Sequence, residues 1–171
     1  MKNKAHILTL LALATLLMSS CRDVPTLEPA RQKGDTLKES MINANKIIAQ
    51  SEEQQIDAYV SRRGWQMQRL PGGARMMVTR QGKGPLIGYE DTVSLRYSIE
   101  NMAGNTIYDN VEEQVVAGHM KPVRGLDVAL RRLHRGSQAR VILPSEQAYG
   151  VVGDTDRIGS RMVLVYFLEV K

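Results

Sequence analysis

PVRGLDVALRRLHRGSQARVILPSEQAYG, residues 122–150, reads as a loop, a short helix, a turn, a strand and a tight loop carrying a tyrosine. Within residues 125–133, Leu126, Ala129, Leu130 and Leu133 fall at i, i+3, i+4 and i+7. That spacing lays one apolar stripe along a helix and turns Arg131 and Arg132 to solvent. Gly136 suits the helix exit, because a left-handed backbone costs least where there is no Cβ. Ala139, Val141 and Leu143 then alternate with Gln138, Arg140 and Ile142, which predicts a half-buried strand stopped by Pro144. Ala148-Tyr149-Gly150 follows. A tyrosine beside a flexible glycine can aim its hydroxyl into a cavity while its ring stays packed.

The period-two pattern continues on both sides. In residues 92–100, Val93, Leu95, Tyr97 and Ile99 alternate with Ser94, Arg96, Ser98 and Glu100, one dry face and one wet, as in an antiparallel sheet. Gly104 turns the chain, and Thr106-Ile107-Tyr108 resumes the sheet. Residues 162–170 are apolar on both faces, which predicts a central strand. Pro71-Gly72-Gly73 turns into a first strand at residues 74–80. The expected fold class is α+β, a twisted antiparallel sheet wrapped on the 125–133 helix.

A helical extension is expected ahead of this domain, over residues 36–65. Thr36 can cap it, with Glu39 closing a capping box. Leu37, Met41, Ala44, Ile47 and Ile48, then Ile56, Tyr59 and Val60, make an apolar stripe. The stripe thins across residues 50–55, which allows a break near Ser51 and argues against a long coiled coil. Packing against its own domain is the plain reading, and a dimer contact or a client-gripping arm are the alternatives. Residues 21–35 carry Pro25, Pro29 and Gly34 without an apolar period and read as a flexible tether.

The first twenty residues read as an export signal. Lys2 and Lys4 precede an apolar run at residues 7–18, too short for the roughly 20 residues a bilayer span needs. A plain signal would leave a free mature end. Here Ser19 and Ser20 stand directly before Cys21, the sole cysteine of the chain, which points to a lipoprotein signal with Cys21 lipidated. Several acyl chains anchor stably, at about 0.8 kcal/mol per buried CH₂. The expected localisation is therefore the cell envelope, on the outer membrane, its periplasmic face or the cell surface.

Composition excludes several classes of function. Without Lys2 and Lys4 the balance is 21 basic against 18 acidic residues, a net charge of +3 and no nucleic-acid footprint. His119 and His134 have no ligand cluster near them, so no metal and no cofactor is expected. No serine or cysteine nucleophile pattern occurs, and Gly82-Lys83-Gly84 lacks the flanking spacing of a phosphate loop.

The motifs of residues 72–171 resemble the FKBP-type peptidyl-prolyl isomerases. Those carrying the resemblance are Val123-Arg124-Gly125-Leu126, Gly136, Ala139 and Ala148-Tyr149-Gly150. Gly82-Lys83-Gly84-Pro85, Asp91-Thr92-Val93, Tyr97, Gly104 and Tyr108-Asp109 lie upstream, and residues 164–170 take the place of the last strand. With leucine at 126 where tryptophan is usual, the chain is similar overall to envelope lipoproteins of Bacteroidetes that look like the gliding-motility-associated FKBPs, a resemblance that supports the tether and domain layout. The resemblance implies an isomerase domain over residues 66–171 and no cofactor. It implies a pocket walled by Tyr97, Tyr108, Val123 and Tyr166, with Pro122 beside it and Leu126 as its floor. The Tyr149 hydroxyl and the Val123 N–H would hold substrate carbonyls. Asp109 would stand at the rim, ordering Tyr97 or facing the twisting carbonyl.

Several positions depart from the family pattern. Leu126 stands where tryptophan is usual, and Trp65 lies outside the matched region. A further aromatic wall position falls near Glu113 or Val115. Tyr108 replaces a common phenylalanine, Pro122 an aliphatic residue, and Ile158-Gly159 an Ile-Pro pair. The smaller floor forgoes about 1–3 kcal/mol of apolar contact, so the resemblance implies neither tight macrolide binding nor fast catalysis. The expected partners are proline-containing segments of exported proteins, with membrane contact through the lipid and no nucleic acid. A holdase or binding module with weak or lost catalysis is the alternative, and an envelope docking domain is a third.

Overall fold

The structure, a computed structural model, describes residues 31–171, with side chains from Thr36 onward. The signal segment, Cys21 and the tether up to residue 30 lie outside the described residues. Helix α1 spans Arg31–Arg63 without interruption, so it runs through Ser51 and begins before the expected capping box. Residues 31–35, expected in the tether, are helical. Arg31, Gln32 and Lys33 are strong helix formers and offset the cost of Gly34. Thr36 is therefore interior, its carbonyl accepting a hydrogen bond from Ser40 Oγ at 2.8 Å.

Six strands follow: β1 (Gln68–Arg69), β2 (Arg75–Arg80), β3 (Thr92–Asn101), β4 (Thr106–Val116), β5 (Gln138–Leu143) and β6 (Leu164–Val170). They form one antiparallel sheet in the order β1-β2-β5-β6-β3-β4. Strand β6 lies between β5 and β3, the place its doubly apolar sequence predicts. Leu164, Tyr166, Leu168 and Val170 face one side, with Leu126, Ala129, Leu130 and Leu133. Val165 and Phe167 face the other, with Ile56, Tyr59 and Trp65. The latter half of α1 thus covers the outer face of the sheet.

Helix α2, Arg124–Leu130, covers the inner face. It is shorter than expected: its axis ends at Leu130, and i→i+3 bonds from Arg132 and Leu133 tighten the exit. Leu133 still reaches the core. Gly125 lets α2 approach β5, since a Cβ there would lie 2.7 Å from Leu143 Cδ2 and 2.8 Å from Gln147 Cβ. Strand β4 is longer than the sequence indicates and runs through to Val116. Its register slips between Tyr97–Val111 and Ile99–Tyr108, so Asp109 and Asn110 together oppose Ser98. Asn110 absorbs the extra residue at φ 49°, a bulge that bends the strand.

Candidate active site

Between the inner face of the sheet and α2 lies a cavity of about 360 Å³. Tyr97 of β3 and Tyr166 of β6 form its back, Glu113, Gln114, Val115 and Val116 of β4 one side, and Leu126 of α2 the floor. The loop residues His119, Met120, Lys121, Pro122 and Val123, with Tyr149, close the rest. Strand pleat places Tyr97 and Tyr166 on the same face, their ring centroids 5.7 Å apart and tilted at 48°. A larger, shallower recess of about 530 Å³ runs beside α1, lined by Ile48, Glu52, Met102 and Arg161 among others. It has no aromatic wall, so the smaller cavity is the better candidate.

The hydroxyls converge. Tyr166 is 1 % exposed, and its phenol and that of Tyr149 line the cavity together and influence one another. Burial, then the neighbouring Tyr149 and Tyr97 phenols, push Tyr166 far above the ordinary tyrosine value of 10.0. Burial raises Tyr149 as well, although the neighbouring Tyr166 hydroxyl pulls the other way. Tyr97 is raised by burial and by its hydrogen bond to Glu113, Oη to Oε2 at 3.0 Å. All three phenols therefore stay neutral across ordinary pH and act as hydrogen-bonding groups, not as acids or bases. The Val123 N–H sits just ahead of α2, where helix geometry offers no intrahelical acceptor.

Tyr97, Pro122, Val123, Leu126, Tyr149 and Tyr166 are brought together in this cavity, and Tyr108 and Asp109 are not. Asp109 was expected at the rim beside Tyr97. The bulge turns it to the opposite face of the sheet, where its carboxylate accepts from Ser98 Oγ at 2.7 Å. Glu113 takes up the Tyr97 hydroxyl instead. Tyr108 packs on the core but sends its hydroxyl away, to Asp154 Oδ2 at 2.5 Å and Asp156 Oδ2 at 3.2 Å. It braces the loop after Tyr149 without lining the cavity. Met120 and Asp154 were not foreseen. Carrying the β4 alternation past the bulge would have pointed to 111, 113 and 115, but no local signal marks Asp154.

Two carboxylates hold the loops that frame the cavity. Buried Asp127 accepts the Gly118 N–H on Oδ1 at 2.5 Å, pinning the segment that carries Met120 and Val123. Asp154 Oδ1 accepts the N–H groups of Asp156, Arg157 and Ile158 at 2.9, 3.0 and 2.7 Å. Burial raises Asp154, but the Tyr108 hydroxyl and those backbone donors outweigh it and hold the carboxyl below its ordinary 3.8. A carboxylate depressed in the folded state stabilises its loop above its unfolded value, and that contribution is lost as pH falls through the folded value. The Ile158 amide resonance is accordingly expected to hold constant from neutral pH down to the ordinary carboxylate range and to move only below 3.8. Movement centred above that value would contradict the assignment.

A family profile described as FKBP-type peptidyl-prolyl cis-trans isomerase matches residues 87–171, which supply β3 to β6, α2 and all of the cavity's walls. Residues 87–171 belong to this family. The FKBP domain is 32 % identical over 101 residues to a Pseudomonas aeruginosa protein named "Probable FKBP-type 25 kDa peptidyl-prolyl cis-trans isomerase". That match covers 59 % of this chain and 44 % of the relative, so the chain spans less than half of the relative's length. Among solved structures, a peptidyl-prolyl cis-trans isomerase from Pseudomonas syringae pv. tomato shares this fold, with a TM-score of 0.61 at 23 % identity. It covers 73 % of this chain and 92 % of that one. The N-terminal domain of FKBP42 from Arabidopsis thaliana gives a TM-score of 0.56 at 21 % identity, covering 61 % and 89 %.

Proposed function

We propose that this protein is a peptidyl-prolyl cis-trans isomerase that assists folding of exported proteins from a lipid anchor on Cys21. The observation that carries the reading is the cavity walled by Tyr97, Tyr149 and Tyr166 on an FKBP domain, with the Tyr149 and Tyr166 phenols together in it. Prolyl isomerisation needs no nucleophile. Its barrier of about 20 kcal/mol reflects lost amide resonance as the C–N bond twists. The planar amide is the more polar state and is better served by water. A dry pocket that holds the flanking carbonyls on fixed donors favours the twisted state over the planar one. The proline ring would stand on Leu126 against Tyr97 and Tyr166. The Tyr149 hydroxyl and Val123 N–H would take the carbonyls, and Glu113 would keep Tyr97 in place.

The signal at residues 1–20 and Cys21 support export and lipidation, with the domain on a tether at the envelope. Metabolic labelling with a fatty-acid analogue, lost in Cys21→Ala, tests the anchor. A proline-isomerisation assay tests the chemistry. Tyr149→Phe is expected to lower kcat/KM about tenfold, the scale of one well-placed hydrogen bond to a reacting amide. Asp109→Ala, altering the opposite face, should stay within about twofold. No acceleration by the wild type would leave a client-binding module in place of an enzyme.

A further inference from the structure

Glu52 belongs to α1, outside the family-matching region, yet its carboxylate is buried against the turn that carries Tyr149. Glu52 is 6 % exposed and Ser145 2 %. One carboxylate oxygen accepts the Ser145 N–H at 2.8 Å, and the other accepts the Ser145 hydroxyl at 2.5 Å. The Ser145 carbonyl in turn accepts the N–H groups of Ala148 and Gly150 at 3.1 and 2.8 Å. Those amides lie on either side of Tyr149. The same residue is thus held at its amide and hydroxyl by Glu52, and holds the tyrosine loop by its carbonyl.

We propose that Glu52 is a positioning residue for Tyr149, so that α1 is part of the isomerase site's framework. The proposal rests on the cavity being that site. Attachment of α1 does not require a buried carboxylate at this point. Ile56 and Tyr59 already pack it on the sheet, and Arg75 pairs with Asp57 at 2.7 Å and with Glu53 at 3.4 Å. Burying a carboxylate against neutral donors is costly and gives no packing that an apolar residue would not give. What it does give is two directional bonds at the root of the tyrosine turn. A hydroxyl acting on a twisting amide must be held to a fraction of an ångström, which a turn bonded only to itself does not guarantee.

The test compares the full chain with Glu52→Ala, Glu52→Gln, Tyr149→Phe and Glu52→Ala/Tyr149→Phe, reading kcat, KM, thermal midpoint and amide exchange at Ala148 and Gly150. Below its melting range, Glu52→Ala is expected to lose about tenfold in kcat/KM, carried by kcat. In the Tyr149→Phe background the same change should cost less than about twofold, because the group it positions is already gone. Glu52→Gln can accept the Ser145 N–H and donate to the Ser145 hydroxyl, so it should stay within about twofold of wild type. Gly150 exchange should quicken about tenfold in Glu52→Ala. An equal loss in both backgrounds, or unchanged Gly150 exchange, overturns the proposal. If Glu52→Ala does not fold, Ser145→Ala removes one of the two bonds and carries the same comparison at about threefold. An inactive wild type would sink the proposed function alone, and the exchange measurements would still decide whether Glu52 holds the turn.

Discussion

Replacing Tyr166 with alanine is expected to destabilise the protein by about 3–5 kcal/mol, the range for emptying a buried aromatic site. For a chain of this size that lowers the thermal midpoint by about 10 °C. Tyr166 is the largest of the fully buried side chains. It lies on the central strand, paired with Ile99 on one side and Val141 on the other. Its ring abuts Tyr97, and its hydroxyl reaches Tyr149. The core is therefore continuous with the cavity's back wall, and one side chain serves both. Tyr166→Phe separates the two duties. It keeps the ring and removes only the hydroxyl beside Tyr149, at a cost of about 1 kcal/mol. Calorimetry and a prolyl-isomerase assay on the two variants decide the matter. A Tyr166→Ala protein that melts within about 2 °C of wild type would falsify the packing described for β6.

The parts of this architecture that were legible in the sequence are those set by local periodicity. The stripe of Leu126, Ala129 and Leu130 identifies α2, and the double apolar character of residues 162–170 puts β6 in the middle of the sheet. Six of the cavity's lining residues were legible because short motifs fix them on elements that the topology then gathers. The rest depends on relations that no window of sequence contains. The bulge at Asp109 and Asn110 shifts which side of β4 faces the core, and one inserted residue was enough to exchange Asp109 for Glu113 beside Tyr97. Asp-Asn is a turn signal as well as a bulge signal, so the pair does not announce that β4 continues past Tyr108. Tyr108 is diverted by Asp154, a residue 46 positions away. Glu52 and Ser145 are separated by 93 positions, and a glutamate on a thinly apolar stretch of helix gives no hint of burial.

Two glycines of the loop behind Tyr149 provide the sharpest contrast. Gly150 and Gly153 both have positive φ, 63° and 74°, so alanine at either costs about 1–2 kcal/mol in backbone strain. A Cβ at Gly150 meets nothing within 4 Å. At Gly153 it would lie 2.1 Å from the Ile158 carbonyl oxygen, and that oxygen is backbone, accepting the Asp154 N–H at 3.1 Å. Relief requires moving residues 153–159, which breaks the Asp154 cap and releases Tyr108 from it. Overpacking of this kind adds about 1–3 kcal/mol or more. Gly153→Ala is therefore expected to melt several degrees below Gly150→Ala, at about 2–4 °C per kcal/mol. It should also lose its Tyr108–Asp154 hydrogen bond, read as a return of the Tyr108 hydroxyl from its raised pKa toward the ordinary 10.0. Tyr108 is raised first by that bond, so the phenol titrates earlier once the loop lets go. Equal midpoints for the two alanine variants would mean that the loop yields freely at Ile158, and that Asp154 does not hold it.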